Sequence, residues 1–490
     1  MERQVLSVVL ALGVMLVSLE MMSVFYWEHS LCLSILIGLS CYPIFRGHFA
    51  DGKIDVFEPI YLFVSLYAFF FIIRPIYLIT TKATTTLLGV FLDRTTLTLA
   101  LLASLLGLLA FEIGYYGARH RTFTISTTFS RPFEPQRIRS IAWVFIAVGV
   151  AAYLYVIFIL GGGWEATFNT ERTARYYISA KNPYVANLTM LVGAGMIALS
   201  FLVIREEKSK FQWYLFFALV LGYGALEITY SGSRRFLINL LFAVLLQRHY
   251  LRKRFNIRGT LPMIALLLIF SASWLYIRST MHEGADAVRD RLALVQVDQV
   301  IDDMNTQGDN VIFDYLVAII NSVPHTYDYN YGKGLLRFLY FPIPRQLWPD
   351  KPENINRQMT QRYDPLAYLN GASAGTSLVG EWFLEFGWMG IVPGALLLGF
   401  LIGTSYRWML INVKTQTAVL LYSCGLFAFI AALVRGGLFG AATELAQLSL
   451  PILLMLKFAR PKRVTAQSWQ PSHWTTAQQS RPMPYSYSRD

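Results

Sequence analysis

The sequence predicts an all-α, polytopic integral membrane bundle, and three observations carry that expectation. More than half of the 490 residues are hydrophobic. Apolar stretches of about 18–25 residues recur from end to end, the length that crosses roughly 30 Å of hydrocarbon. Basic residues gather in alternate connections, the pattern of cytoplasmic loops.

Taken in chain order, about twelve spans are expected. They lie near 5–26, 29–45, 59–79, 97–117, 138–160, 185–204, 213–230, 236–250, 260–278, 376–404, 416–434 and 437–457. The first runs on into the second without a cleavable small-residue end, so it reads as an anchor rather than a removed signal. Arg119, Arg121, Arg131, Arg137 and Arg139 fill the connection after the fourth span. Arg205, Lys208 and Lys210 fill the one after the sixth, and Arg248, Arg252, Lys253, Arg254 and Arg258 the one after the eighth. Arg407, Lys414, Lys457, Arg460, Lys462 and Arg463 complete the set. Counting spans puts them all on one side, which predicts cytoplasmic termini and an exterior, periplasmic position for the long loop. The chain then divides into a membrane bundle over 1–278, that loop over 279–375, three further spans over 376–460 and a disordered cytoplasmic tail over 461–490.

Within the loop, residues 288–304 place Leu294, Val297, Ile301 and Met304 on one side and Asp298, Asp302 and Asp303 elsewhere. That period suits a helix lying in the membrane interface, and 310–323 is expected to be a second helix of the same kind. His325 and the tyrosines of 327–331 follow. The segment Phe341–Pro352 then carries Pro342, Pro344, Pro349 and Pro352. It cannot be helical, because proline lacks the amide donor and clashes with the preceding turn. It reads as a rigid strap presenting Arg345 and Lys351 beside Trp348, suited to an anionic headgroup. Gly371, Gly375 and Gly380, leading to Glu381, are expected to let helices approach closely.

Charge and motif content narrow the function. The net charge of +12 is explained by cytoplasmic loops beside anionic lipid; no basic soluble face marks a nucleic-acid partner. Cys32, Cys41 and Cys424 lie in or at spans and supply neither a disulfide framework nor a zinc spacing. No Walker loop, dinucleotide fingerprint, HExxH or serine elbow is present, so neither cofactor nor metal is expected. A reaction on the outer face then needs a substrate that arrives activated.

Outer connections carry arginines close to membrane ends: Arg172 and Arg175 after Gly161-Gly-Gly, Arg234 and Arg235 after the seventh span, Arg278 after the ninth and Arg435 before the twelfth. Any one of them could simply snorkel to headgroups. Together they run against the positive-inside bias, and an intramembrane cation costs at least about 2.5 kcal/mol, so retained ones usually hold anionic partners. Few carboxylates stand beside them in the sequence. Arg74 and Glu112, inside the third and fourth spans, are read as structural, paired with each other or with other spans.

The strap Ile343-Pro-Arg-Gln-Leu-Trp-Pro-Asp-Lys-Pro352 resembles the "PR..WP.KP" signature of Wzy-type oligosaccharide repeat-unit polymerases. Ser231-Gly-Ser-Arg234, the Gly-Gly plus Arg172 pattern, and Gly380-Glu381 followed by Phe386-Gly387 and Gly390 fit the same family. The resemblance implies a GT-C-like, metal-independent membrane glycosyltransferase of the bacterial inner membrane with a periplasmic active site. Such enzymes move a growing glycan from one undecaprenyl-diphosphate carrier onto the sugar of another, with the pathway's flippase and chain-length regulator as further partners. On this reading Arg234, Arg235 and Arg278 hold the donor diphosphate, while Arg172, Arg345, Lys351 and Arg435 serve one or other carrier. Arginine suits that task because its planar fork binds phosphate bidentately and stays charged. Fixed cations stabilise charge developing on the leaving oxygen. Glu381 and His325, in that order, are the candidates to take the acceptor's proton. Trp348, Tyr329 and Tyr331 either stack on sugars or belong to the interfacial aromatic belt. Two other readings stand beside this one. An O-antigen ligase would share the donor and the arginines. A lipid flippase or transporter would place its polar residues near the midplane in broken helices, not at one face.

Overall fold

The computed structural model describes residues 26–49, 54–118, 133–170, 175–206, 210–230, 235–255, 311–340, 343, 347–348, 350–369, 371, 373 and 375–460. Among them every named element is helical, apart from an isolated bridge between Thr85 and Phe91. Seven helices of the described residues are long and apolar enough to cross a membrane. The first expected span up to residue 25, the ninth, the helix at 288–304 and the tail lie outside the described residues.

The order follows the apolar runs. Helix α1 is Trp27–Phe49, α2 Pro59–Thr80, α3 Arg94–Gly117, α4 Pro135–Leu160 and α5 Pro183–Glu206. Proline opens α2, α4 and α5, where its missing N–H costs nothing. Asp93 caps α3 by accepting from the amides of Thr95 and Thr96 at 3.1 and 3.3 Å. Helices α6 (Lys210–Tyr230) and α7 (Arg235–Leu251) occupy the seventh and eighth expected positions. Next come α8 (Ile312–Ser322), α9 (Lys333–Tyr340), α10 (Ile355–Tyr363), α11 (Leu378–Phe386), α12 (Trp388–Ile411) and α13 (Thr417–Phe458).

The structure differs from the sequence reading at two elements. The expected span 376–404 is instead the short α11 followed by α12. Gly387 between them has φ 62° and ψ −149°, a conformation open to glycine alone, and the Tyr329 ring fills the space where a Cβ would stand. Helix α8, expected in the interface, is buried along almost its whole length. Its one acid, Asp314, receives Arg74 from α2 through Nε at 3.0 Å and Nη2 at 2.6 Å, and the Leu87 amide at 2.9 Å. The buried bidentate pair replaces the water that an interfacial acid would keep. Arg74 is structural as expected, with Asp314 rather than Glu112 as its partner.

The 42 residues of α13 would reach about 63 Å at 1.5 Å per residue, twice a bilayer. They form a hairpin instead. The helix breaks at Gly437, with φ 83°, and the second arm folds back so that Cys424 meets Ser449 at 3.4 Å. The break falls between the expected spans 416–434 and 437–457. The hairpin contributes to both hydrophobic cores: one gathers α1, α2, α3, α8, α11 and α12, the other α4, α5, α6 and α7. Gln247 of α7 ties the second core together. Its Nε2 donates to the Ile197 carbonyl at 3.1 Å and to Ser423 Oγ at 3.0 Å.

Helix ends sort into two groups. At one end Tyr250 and Tyr406 both donate to Asp55 at 2.8 Å, Arg407 reaches the Ala118 carbonyl at 2.7 Å and the Glu134 amide reaches the Ala459 carbonyl at 2.9 Å. Arg139 pairs with Glu206 at 2.6 Å there. This is the end rich in arginine and lysine. The opposite end carries α8 to α11 and the α13 turn.

Candidate active site

At that opposite end a small, half-open cleft lies against the turn of α13. Arg337 of α9, Asn354 and Asn356 at the start of α10, Glu381 of α11, and Gly436 and Phe439 of the hairpin line it. Each element has a local reason to be there. Asn354 caps α10 by accepting from the Arg357 amide at 2.7 Å. Ser377 caps α11 by accepting from the Gly380 amide at 3.0 Å. Gly380 itself lets α11 approach Leu316 and Ile319 of α8, the close approach expected of it.

Glu381 is the centre of the arrangement. It is 3 % exposed, and its Oε2 accepts from the Leu438 amide, the first residue after the Gly437 break. The Phe439 amide engages the same carboxyl group. A Cβ at Gly437 would collide with Oε2, so glycine is required there twice over, by φ and by space. Helix α11 lies outside the seven spans. Burial pushes the Glu381 carboxyl up to about 7; the Leu438 and Phe439 amides oppose the rise and Glu385 adds to it. A carboxylate offers about four lone-pair sites, so two amide bonds leave capacity towards the cleft. Beside it, the Arg337 guanidinium rests over the Phe439 ring at 4.5 Å.

Of the cations singled out in the sequence, Arg235 and Arg435 are brought together. Arg235 pairs with Glu444, and Arg435 is close enough for its charge to act on the same carboxylate. Glu444, far away in sequence, is the acid that Arg235 meets. Glu444 follows the cleft residue Gly440 by one helical turn, about 6 Å along the same face. Lys351 turns back onto its own strap, donating to the Ile343 carbonyl at 2.9 Å, and Trp348 packs edge-on against Tyr340. His325 stands exposed in the turn after α8 and does not line the cleft. Arg172, Arg234, Arg278 and Arg345 lie outside the described residues. Among the described residues no group of three or more His, Cys, Asp or Glu side chains is placed to hold a metal ion.

Sequence reasoning missed Arg337, Asn354 and Asn356. Arg337 sits in the short helix α9 just before the strap, and its position over Phe439 sets it apart. The Asn354 signal was readable: an asparagine three residues ahead of Arg357 has cap spacing.

The family model described as O-antigen polysaccharide polymerase Wzy matches residues 6–460. No curated protein and no solved structure matched the chain.

Proposed function

This chain belongs to the O-antigen polysaccharide polymerase Wzy family, and from that membership we propose that it joins undecaprenyl-diphosphate-linked oligosaccharide repeat units on the periplasmic face. The growing glycan leaves one carrier and is transferred to a sugar hydroxyl of the next unit. The bond broken joins the anomeric carbon to a diphosphate oxygen, and the bond formed joins that carbon to the acceptor oxygen. The diphosphate departs as an anion, so no nucleotide has to reach this side of the membrane.

The observation that carries the reading is a buried carboxylate and an arginine sharing one cleft at the helix ends opposite the basic loops. Glu381 takes the acceptor proton as the hydroxyl attacks, and a value near 7 suits that exchange close to neutral pH. Arg337, with Arg435 at the hairpin turn and Arg235 of α7 beside Glu444, supports the departing diphosphate. Such fixed charge favours the transition state over the ground state. Arg172, Arg234, Arg278, Arg345 and Lys351 remain assigned to the carriers, and His325 remains the second candidate base although it does not line the cleft. No metal or cofactor takes part in this reading.

Purified protein in detergent or nanodiscs, mixed with a synthetic undecaprenyl-diphosphate repeat unit, tests it. A ladder of products spaced by one repeat unit is expected. Transfer of a single glycan onto lipid A core without a ladder would make the protein a ligase, and carrier translocation with no new glycosidic bond would make it a transporter.

A further inference from the structure

We propose that Asn356 is a positioning residue of this reaction, one that locks the turn of the α13 hairpin so that the Leu438 and Phe439 amides stay aimed at Glu381. The proposal rests on the polymerase reading above and deepens it. It starts from the hairpin turn, which interrupts a helix in an apolar bundle and leaves backbone groups without helical partners. Where water is scarce, each such group must be met by the protein.

Four of them are met from the loop segment that precedes α12. The Arg435 carbonyl accepts from the Ser377 amide at 2.9 Å. The Gly436 carbonyl accepts from Asn356 Nδ2 at 3.1 Å. The Leu438 and Phe439 amides go to Glu381. The Asn356 side chain works in both directions. Its Oδ1 accepts from the Thr376 amide at 3.2 Å and from Thr376 Oγ1 at 2.7 Å, while its Nδ2 holds the turn. The group therefore has to be a carboxamide; a carboxylate has no donor for Gly436. The approach is close, since a Cβ on Gly436 would stand 3.2 Å from Nδ2.

Ser377, next along the chain, shows that this region is held against its own preference. It is buried, with φ 62° and ψ 165°, a backbone region that is almost exclusive to glycine. Asn356 and the Ser377–Arg435 bond thus fix the start of α11 to the hairpin turn, and α11 carries Glu381. The charged groups near Glu381 are Glu385 on its own helix and Arg337 from α9 in the same cleft, while Arg435 of the turn acts on Glu444. Losing the clamp loosens the turn and with it the amide bonds to Glu381. Fewer amide donors make the carboxyl harder to ionise.

The decisive comparison is Asn356→Asp against Thr376→Val in the full-length protein. Asn356→Asp keeps the acceptor for Thr376 and removes the donor to Gly436; Thr376→Val keeps that donor. For Asn356→Asp, kcat should fall about tenfold or more with KM for the lipid-linked repeat changed less than about threefold, as expected of misplaced chemistry. The acidic limb of its pH–rate profile should move to higher pH, a shift that the new carboxylate in the cleft also favours, so the deciding readout is amide hydrogen exchange at Leu438 and Phe439, which should quicken. Thr376→Val should stay within about threefold of the unmodified protein in turnover, with its acidic limb unmoved. Wild-type kcat, limb and exchange in Asn356→Asp would overturn the proposal, as would a loss equal at every pH with exchange unaltered. Exchange is read whether or not a ladder forms. A missing ladder in the unmodified protein removes the polymerase reading and the positioning role with it, whereas unchanged exchange removes the clamp alone.

Discussion

At the scale of single residues, Glu381 combines two demands that pull against each other. As a cap it must be ionised to hold the Leu438 and Phe439 amides well; in the proposed role of base it must give that charge up to a proton each turnover. Burial raises its carboxyl to about 7, with Glu385 adding to the rise and the amides limiting it. The sign follows directly. The active form is the carboxylate, so turnover should be full above that value and fall as pH drops through it, well above the ordinary carboxylate range. Glu381→Gln keeps an acceptor for one amide and removes the proton acceptor, so it should lower kcat by about 10²-fold or more with the folded yield unchanged. A pH–rate profile that is flat across one unit on either side of 7, or a Glu381→Gln protein with normal kcat, would reassign Glu381 to a purely structural cap. Glu381 was legible in the sequence, as a carboxylate at an expected helix start among glycines. Its companions were not. Asn356 meets Gly436 across 80 residues of chain, and nothing local to an Asn-Ile-Asn triplet distinguishes a clamp from a cap.

The elements owe their packing to a few glycines. A Cβ on Gly114 of α3 would collide with the Leu396 carbonyl of α12, and one on Gly399 of α12 with the Phe111 carbonyl of α3. With Gly403 one turn on, small residues let these two backbones touch. The hairpin turn depends on Gly437 in a different way, through its φ of 83° and the carboxylate beside it. Gly437→Ala should destabilise the protein by about 1–3 kcal/mol and lower polymer formation about tenfold or more by displacing Glu381. Gly222→Ala on α6, where a Cβ meets nothing within 4 Å, should change neither thermal stability nor product. Equal behaviour of the two variants would show that the turn tolerates a side chain and is not the rigid element described. Hydropathy located α1 to α7 and both arms of α13 well, because a run long enough to cross a bilayer leaves few alternatives. It was blind to the α11–α12 boundary, where a glycine reverses the chain inside a continuous apolar run. It also misplaced α8, because a polar face looks the same in sequence whether water or Arg74 lies against it.

For the molecule as a whole, the structure separates two ends, and the same bundle could sit in a membrane either way up. The distribution of charge breaks that symmetry. Arg137, Arg139, Arg252, Arg407 and Arg460 all bond at the end built around Asp55, together with Lys414 and Lys457 nearby in sequence. The cleft end combines Arg337, Arg235 and Arg435 with the acids Glu381, Glu385 and Glu444. Basic residues in short connections are retained on the cytoplasmic side, and on that rule the proposed orientation turns the cleft outward. The orientation decides the chemistry, since only an exterior cleft is out of reach of nucleotide sugars and obliged to draw on a preactivated lipid. Once Cys32, Cys41 and Cys424 have been replaced by serine, single cysteines in place of Tyr331, 71 % exposed at the cleft end, and of Lys414, exposed at the basic end, can be reacted with an impermeant maleimide. Tyr331→Cys should label in cells whose inner membrane is intact, and Lys414→Cys only after that membrane is opened. The reverse pattern would turn the cleft to the cytoplasm, where nucleotide-activated sugars are available, and the argument for a diphosphate-lipid donor would lose its basis.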